Sequence, residues 1–344
     1  MLQYLVILLD DTSVAYCHAD NPLTERRLMP IETLRKAILF GMKENLMIQY
    51  VLPDYALPEE YQEVMERIDN VKIYSREGLL SQGISSEAQE CFRSTTDVLV
   101  YDDVPEKIEA QNIVIRMPFE GLMAKKYDIG ILLTQANVRR ANGTSLRINL
   151  VITDIEKFDD KQIEDYKKTL GEWVKIVKEG NLSLLQVNIL TDRLQLDKMH
   201  NCDAGVNNIT VAPNGRFYLC PAFYYDEMAG VNNRMNHHKP QHDYSVGDLD
   251  AGLQIPNQQL LKLDHAPLCR ICDAYHCKRC VWLNQKLTWD ANTPSHQQCV
   301  LAHLERNASR ELQQALLGTR SSSPAINEIK EINYLDPFDV REEF

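Results

Sequence analysis

Short apolar runs alternate with longer stretches of helical period through the first half of the chain. "QYLVILL" at 3–9 predicts a buried strand, and "IETLRKAILFGMKEN" at 31–45 repeats its apolar residues at helical spacing and stops at Asn45. "LMIQYVL" at 46–52 reads as a second strand. "PEEYQEVMERI" at 58–68 opens with proline and acids, as helices prefer. "VKIY" (71–74), "DVLVY" (97–101) and "NIVIRM" (112–117) follow as strands, with "SSEAQECFR" (85–93) as a helix between the first two. "SLRINLVIT" (145–153), a long helical stretch at 159–179 and "LSLLQVNIL" (182–190) complete the series. Such alternation predicts an α/β fold of βαβ units on a parallel sheet, either open or curved into a partial (β/α) barrel.

After residue 195 the pattern breaks into short strands, turns and cysteines, with a polar loop at 229–243, "AGVNNRMNHHKPQHD". Helical period returns at 296–317, and from 319 the chain reads as a linker and an acidic tail. Three parts are therefore expected: an α/β domain at 1–195, a small cysteine-rich domain at 196–317, and a linker with its tail at 318–344.

The totals narrow the function. A chain of 344 residues is long enough for about two domains with cores of their own, and 44% hydrophobic with 25% charged residues is the balance of a folded protein. A formal net charge of -12 argues against a general nucleic-acid binder, which needs clustered cations. The opening "MLQYLVILLDDTSV" is too short to span a membrane, is closed by Asp10 and Asp11, and lacks the marks of a secretory leader. A cytoplasmic protein is expected, without membrane or nucleic-acid partners. In that compartment disulfides are rare, so closely spaced cysteines point to metal or redox chemistry.

Seven of the nine cysteines fall between 202 and 299, and four of them occupy the twelve residues "CRICDAYHCKRC" at 269–280. The ordered pattern is Cys202-x12-Gly215-x4-Cys220, then Cys269-x2-Cys272-x4-Cys277-x2-Cys280, then Cys299. Thiolates suit zinc and iron–sulfur clusters. Two Cys-x2-Cys pairs only four residues apart crowd a relaxed four-sulfur zinc site, which favours sharing the sulfurs between two centres. The alternative is one zinc held by four thiolates with three to spare.

That pattern resembles the SPASM domain, the seven-cysteine extension of many radical-SAM peptide-maturing enzymes, with two of its spacings each one residue shorter than the usual form. The resemblance implies two auxiliary [4Fe–4S] clusters, one on Cys202, Cys220 and Cys280 and one on Cys269, Cys272, Cys277 and Cys299. His200 or a substrate group is then the candidate for the open position of the first, against the plainer reading of His200 as a solvated loop residue. A radical-SAM barrel would carry C-x3-C-x2-C just after its first strand. Here "VAYCHADNP" supplies Cys17 alone, and no other cysteine precedes Cys91. No S-adenosylmethionine cluster is therefore expected. The Gly-Gly-Glu-Pro-like stretch after the second strand is also missing, its place taken by "YVLPDYALPEEY". Together "YLVILLDDTSVAYCH", "GMKENLMIQYVLPDYALPEEY" and "CRICDAYHCKRCVWLN…NTPSHQQCVLAHLER" look like the CXXX-repeat peptide maturases, which are degenerate radical-SAM proteins. The implied partners are a cysteine-rich precursor peptide and an electron donor or partner maturation protein.

Other readings stand beside this one. The protein is alternatively a non-catalytic peptide-binding module whose metal sites only stabilise it, or a zinc-binding regulator with His237, His238 and His242 as a second site. Lys278 and Arg279, between two ligands, would raise a cluster potential if they lay near it, or would face water as such residues usually do. Asp10 and Asp11 at a strand end would bind a cation or a peptide amine, or face water. Cys17 and His18 point to opposite faces of an extended chain and make no nucleophile–base pair. "ANGTS" at 141–145 has too little glycine for a phosphate loop, and the aromatics of "PAFYY" after Cys220 read as packing.

Overall fold

A computed structural model describes residues 2–81, 96–141, 145–179, 185–199, 202–232 and 243–317. The helix expected at 85–93 and the tail from 318 lie outside the described residues. The chain forms two compact units, each drawn from two stretches: Met1–Val100 with Asp203–Lys262, and Tyr101–Cys202 with Leu263–Phe344.

The first stretch runs β1 (Tyr4–Leu8), α1 (Ile31–Lys43), β2 (Met47–Val51), α2 (Glu59–Met65), β3 (Asn70–Ser75), α3 (Arg76–Ser81) and β4 (Val98–Tyr101). Strands β1 to β4 pair in sequence order, all parallel. Leu5 to Leu8 are all buried, as expected of a central parallel strand covered on both faces. Asn45, just past α1, takes φ 53°, the left-handed turn its side chain tolerates. Gly41 lets α1 lie close on β2, since a Cβ there would stand 2.9 Å from the Ile48 side chain.

The second unit opens with β5 (Asn112–Met117), α4 (Phe119–Ala124), α5 (Lys126–Ala141), β6 (Leu146–Ile152), α6 (Ile163–Lys178), β7 (Leu185–Val187) and α7 (Asn188–Gln195). Strands β5, β6 and β7 pair in parallel. The strand expected over 182–190 is cut short. The Asn188 amide takes up the backbone of Leu150 in both directions, and the Thr191 hydroxyl bonds the N–H and the carbonyl of Val187. These side chains replace the ladder and let the chain turn into α7. The helices α4 and α5 supply the crossover that two parallel strands require, and α4 begins after Pro118.

The chain then returns to the first unit with β8 (Asn208–Val211), β9 (Phe217–Tyr218), α8 (Pro221–Asn232) and the short hairpin β10 (Gly247–Asp248) and β11 (Gly252–Leu253). β8 adds to β1 in parallel, and β9 pairs back on β8 antiparallel. Gly215, the glycine of the cysteine pattern, sits in the turn between them at φ 78°, where its N–H donates to the Ala212 carbonyl. "PAFYYDEMAGVN" forms α8 with proline at its first position, so the first residues of the expected 229–243 loop are helical. Positions 233–242 lie outside the described residues. The second unit closes with α9 (Val281–Thr288) and α10 (His296–Leu317), the latter as expected.

Both units are thus α/β with parallel strands, and in the first unit β9 and the β10–β11 hairpin are antiparallel. Among the described residues no helix is long and apolar enough to cross a membrane.

Candidate metal centre

The "CRICDAYHC" segment of the second unit has little regular structure of its own beyond a turn of 3-10 helix at Cys269–Ile271. Packing holds it. Cys269, Met199 and Ala266 form a small buried core against which Leu263, Cys272 and Cys277 lie. Asp273 is buried and shared by three guanidinium groups. Arg193 from α7 reaches it at 3.0 Å and also donates to its backbone carbonyl, Arg306 lies at 3.2 Å, and Arg310 at 3.0 Å. Burial works against the Asp273 charge, but Arg306, Arg310 and Arg193 together hold its carboxyl below the usual carboxylate range. Three residues on, the buried His276 meets Glu305 at 3.2 Å, and Glu305 also accepts from Tyr166 at 2.8 Å.

These contacts set four thiols around one cavity. Cys269, Cys272, Cys277 and Cys299 all line it, together with Arg279 and His303. Its interior volume is about 50 Å³, several times the roughly 10–15 Å³ that a single water needs. Three of the four come from the "CRICDAYHC" segment and the fourth from α10. On that helix Cys299, His303, Arg306 and Arg310 fall at successive steps of four, three and four residues, which is one face. A single stripe therefore supplies a thiol and a histidine to the cavity, then two arginines to Asp273.

None of the described cysteines is paired in a disulfide. Burial pushes the Cys269 thiol up to about 11, and those of Cys272 and Cys277 up to about 12. Thiolates at these positions therefore require a strong positive charge among them, as a bound metal provides. Among the described residues no three His, Cys, Asp or Glu side chains converge closely enough to hold a single metal ion. A zinc ion would need its sulfurs about 2.3 Å from one centre. Four thiols are a donor set that zinc and a polynuclear iron–sulfur group both accept, the latter with each thiolate on a different iron.

The other three cysteines of the pattern are not among the residues that line this cavity. Cys202 donates its N–H to the Lys278 carbonyl at 2.6 Å, and the buried Cys280 caps α9, its sulfur accepting from Leu283 N at 3.5 Å. Cys220 belongs to the first unit, between β9 and α8. Cys91, His200, His237, His238 and His242 lie outside the described residues, as do positions 142–144 of "ANGTS".

Several plainer expectations give way. Arg279 does not face water: it is completely buried on the cavity wall, with backbone φ 41° and its guanidinium bonded to the Asn292 side chain. Lys278 is half-buried, and burial lowers its pKa. In the first unit Asp10 and Asp11 are buried as well. Tyr55 donates to Asp10 at 2.8 Å and Tyr224 donates to Asp11, while Arg27 stands 3.5 Å from Asp11. The strand-end acids are engaged by the protein itself. Tyr224 and Tyr225 of "PAFYY" are buried as packing, and Cys17 is half-buried in the segment that follows β1.

The residues that sequence reading missed are His303, Glu305 and Arg306 on α10 and their partners Asp273, His276 and Arg193. The one available signal was the Cys299-x3-His303-x2-Arg306-x3-Arg310 stripe.

No protein-family model matches this chain, and no curated protein matches it. Its fold is similar to that of anSMEcpe with bound AdoMet, with a TM-score of 0.53 and 12% identity over 92% of this chain and 100% of that one. It is similar also to native anSMEcpe with bound AdoMet and Cp18Cys peptide, with a TM-score of 0.55 and 11% identity over 92% and 99% of the two chains. At such identity the likeness is one of fold.

Proposed function

We propose that this protein is a component of a ribosomal-peptide maturation system, that it binds a cysteine-rich precursor peptide, and that Cys269, Cys272, Cys277 and Cys299 hold an auxiliary [4Fe–4S] cluster. One observation carries the reading: the four thiols that the SPASM resemblance groups together line one cavity. The fold likeness to a protein solved with a Cys-containing peptide supports the choice of ligand. A cluster held there would supply one-electron transfer, or an iron position open to a peptide thiolate.

The chain's own residues prepare the place. The Arg193, Arg306 and Arg310 guanidiniums around Asp273 pin the loop beside Cys272 between α7 and α10. Arg279 puts a buried cation on the cavity wall, which favours thiolates and the more negative, reduced state of whatever they bind. In the segment between β1 and α1 the sequence supplies Cys17 alone, where a radical-SAM enzyme needs three thiolates. Cleavage of S-adenosylmethionine is accordingly left to another protein.

The test of the peptide role is binding of a labelled peptide with repeated Cys-x-x-x units to the anaerobically reconstituted full chain. Binding that is lost when the peptide cysteines become serine supports the proposal. Equal binding of both peptides, or of neither, counts against it, and so does 5′-deoxyadenosine formed from S-adenosylmethionine by this protein alone.

A further inference from the structure

We infer that His303 donates its Nε2 hydrogen to the sulfur of Cys272, and thereby sets the bound cluster at a higher reduction potential than its four thiolates alone would give. The inference rests on the cluster reading above and assigns a function to a residue that the cysteine pattern leaves out.

His303 Nε2 stands 3.6 Å from Cys272 Sγ, a hydrogen-bonding distance for sulfur. His303 is 3% exposed and lies on the cavity wall with all four thiols. Its position is fixed by the helix that carries Cys299, one turn earlier on the same face. The backbone N–H of Ala274 also points at Cys272 Sγ, at 3.4 Å, so this sulfur receives donors from two elements.

A metal-bound thiolate has lone pairs and no hydrogen. The contact is therefore favourable only when Nε2 carries a hydrogen. Donors aimed at a cluster sulfur draw electron density from it and stabilise the reduced state, in which the sulfur is more negative. Five cysteine and histidine side chains line the cavity, whereas a [4Fe–4S] cluster takes four ligands. The count leaves His303 over once the cysteines are used, and its placement against a sulfur gives it a second task as a positioning and tuning residue.

The experiment uses the full chain reconstituted anaerobically with iron(II) and sulfide, as wild type, His303→Leu and His303→Gln. Iron and sulfide are counted, and the midpoint potential is read by redox titration followed by electron paramagnetic resonance. The expected result is unchanged iron and sulfide in all three, a lower midpoint in His303→Leu, and recovery of most of the difference in His303→Gln, whose amide restores a donor. Loss of cluster iron in a folded His303→Leu makes His303 a ligand and overturns the inference, as does an unchanged midpoint. Electron–nuclear double resonance on wild type labelled with ¹⁵N-histidine gives a reading independent of any variant. A weak nitrogen coupling supports the hydrogen bond, whereas a strong coupling, or none, contradicts it. If wild type takes up no iron and sulfide, the cluster reading itself falls, which is distinct from a cluster whose potential ignores His303.

Discussion

Arg193 and Asp273, 80 residues apart in the chain, form a buried ion pair 3.0 Å long, and the same guanidinium also holds the Asp273 backbone carbonyl. The pair fastens the loop that carries Cys272 to α7. Removing one member of a buried pair strands the other, at roughly 3–5 kcal/mol. Asp273→Asn takes the shared charge from three guanidiniums at once, and a loss of that size is expected in urea unfolding of the metal-free protein. A loss below about 1 kcal/mol, the level of a surface pair, would contradict the structural role given to Asp273.

Asp11 yields a pH prediction. Burial raises its pKa, opposed by the hydrogen bond from Tyr224 and by Arg27, and assisted by Asp10. A carboxyl whose folded pKa lies above its unfolded value, about 3.9, binds more protons folded than unfolded between the two. Its contribution to stability is therefore full below the unfolded value and declines as pH rises through the folded one. Asp11→Asn keeps an acceptor for Tyr224 and removes the titration. Thermal unfolding of the variant followed upward from about pH 4 is expected to lose less stability with rising pH than wild type does. Parallel curves for the two proteins would refute this.

Gly215 gives a backbone prediction. Its φ of 78° is in the left-handed region, and an added Cβ would meet nothing closer than the Thr33 side chain at 3.5 Å. The cost of Gly215→Ala is then conformational alone, about 1–2 kcal/mol. Chemical denaturation measures it. A cost near zero would show that the β8–β9 turn relaxes to negative φ.

How much of this was legible in the sequence follows from what spacing encodes. The parallel strands of both units could be read because apolar runs and helical period are local properties. The strand expected to run through Asn188 could not, because the contacts that end it are side-chain bonds to Leu150 on a neighbouring strand and to Val187. The cysteines announced a metal site because four in twelve residues is a chemical signal by itself. Burial of Asp10, Asp11 and Arg279 was hidden, since charged residues normally face water. The tyrosines that take up the two acids, Tyr55 and Tyr224, come from distant parts of the chain. The stripe on α10 shows which residues share a face but not what that face meets, so the link from His303 to Cys272 and from Arg306 to Asp273 needed the fold.

The most direct measurement is the iron and acid-labile sulfide content of the anaerobically reconstituted chain, compared with a variant in which Cys269, Cys272, Cys277 and Cys299 are all alanine. The account predicts that the variant loses about four irons and four sulfides per chain relative to wild type, the content of one [4Fe–4S] cluster. Zinc without sulfide in the wild type, or equal iron and sulfide in the two proteins, would contradict it.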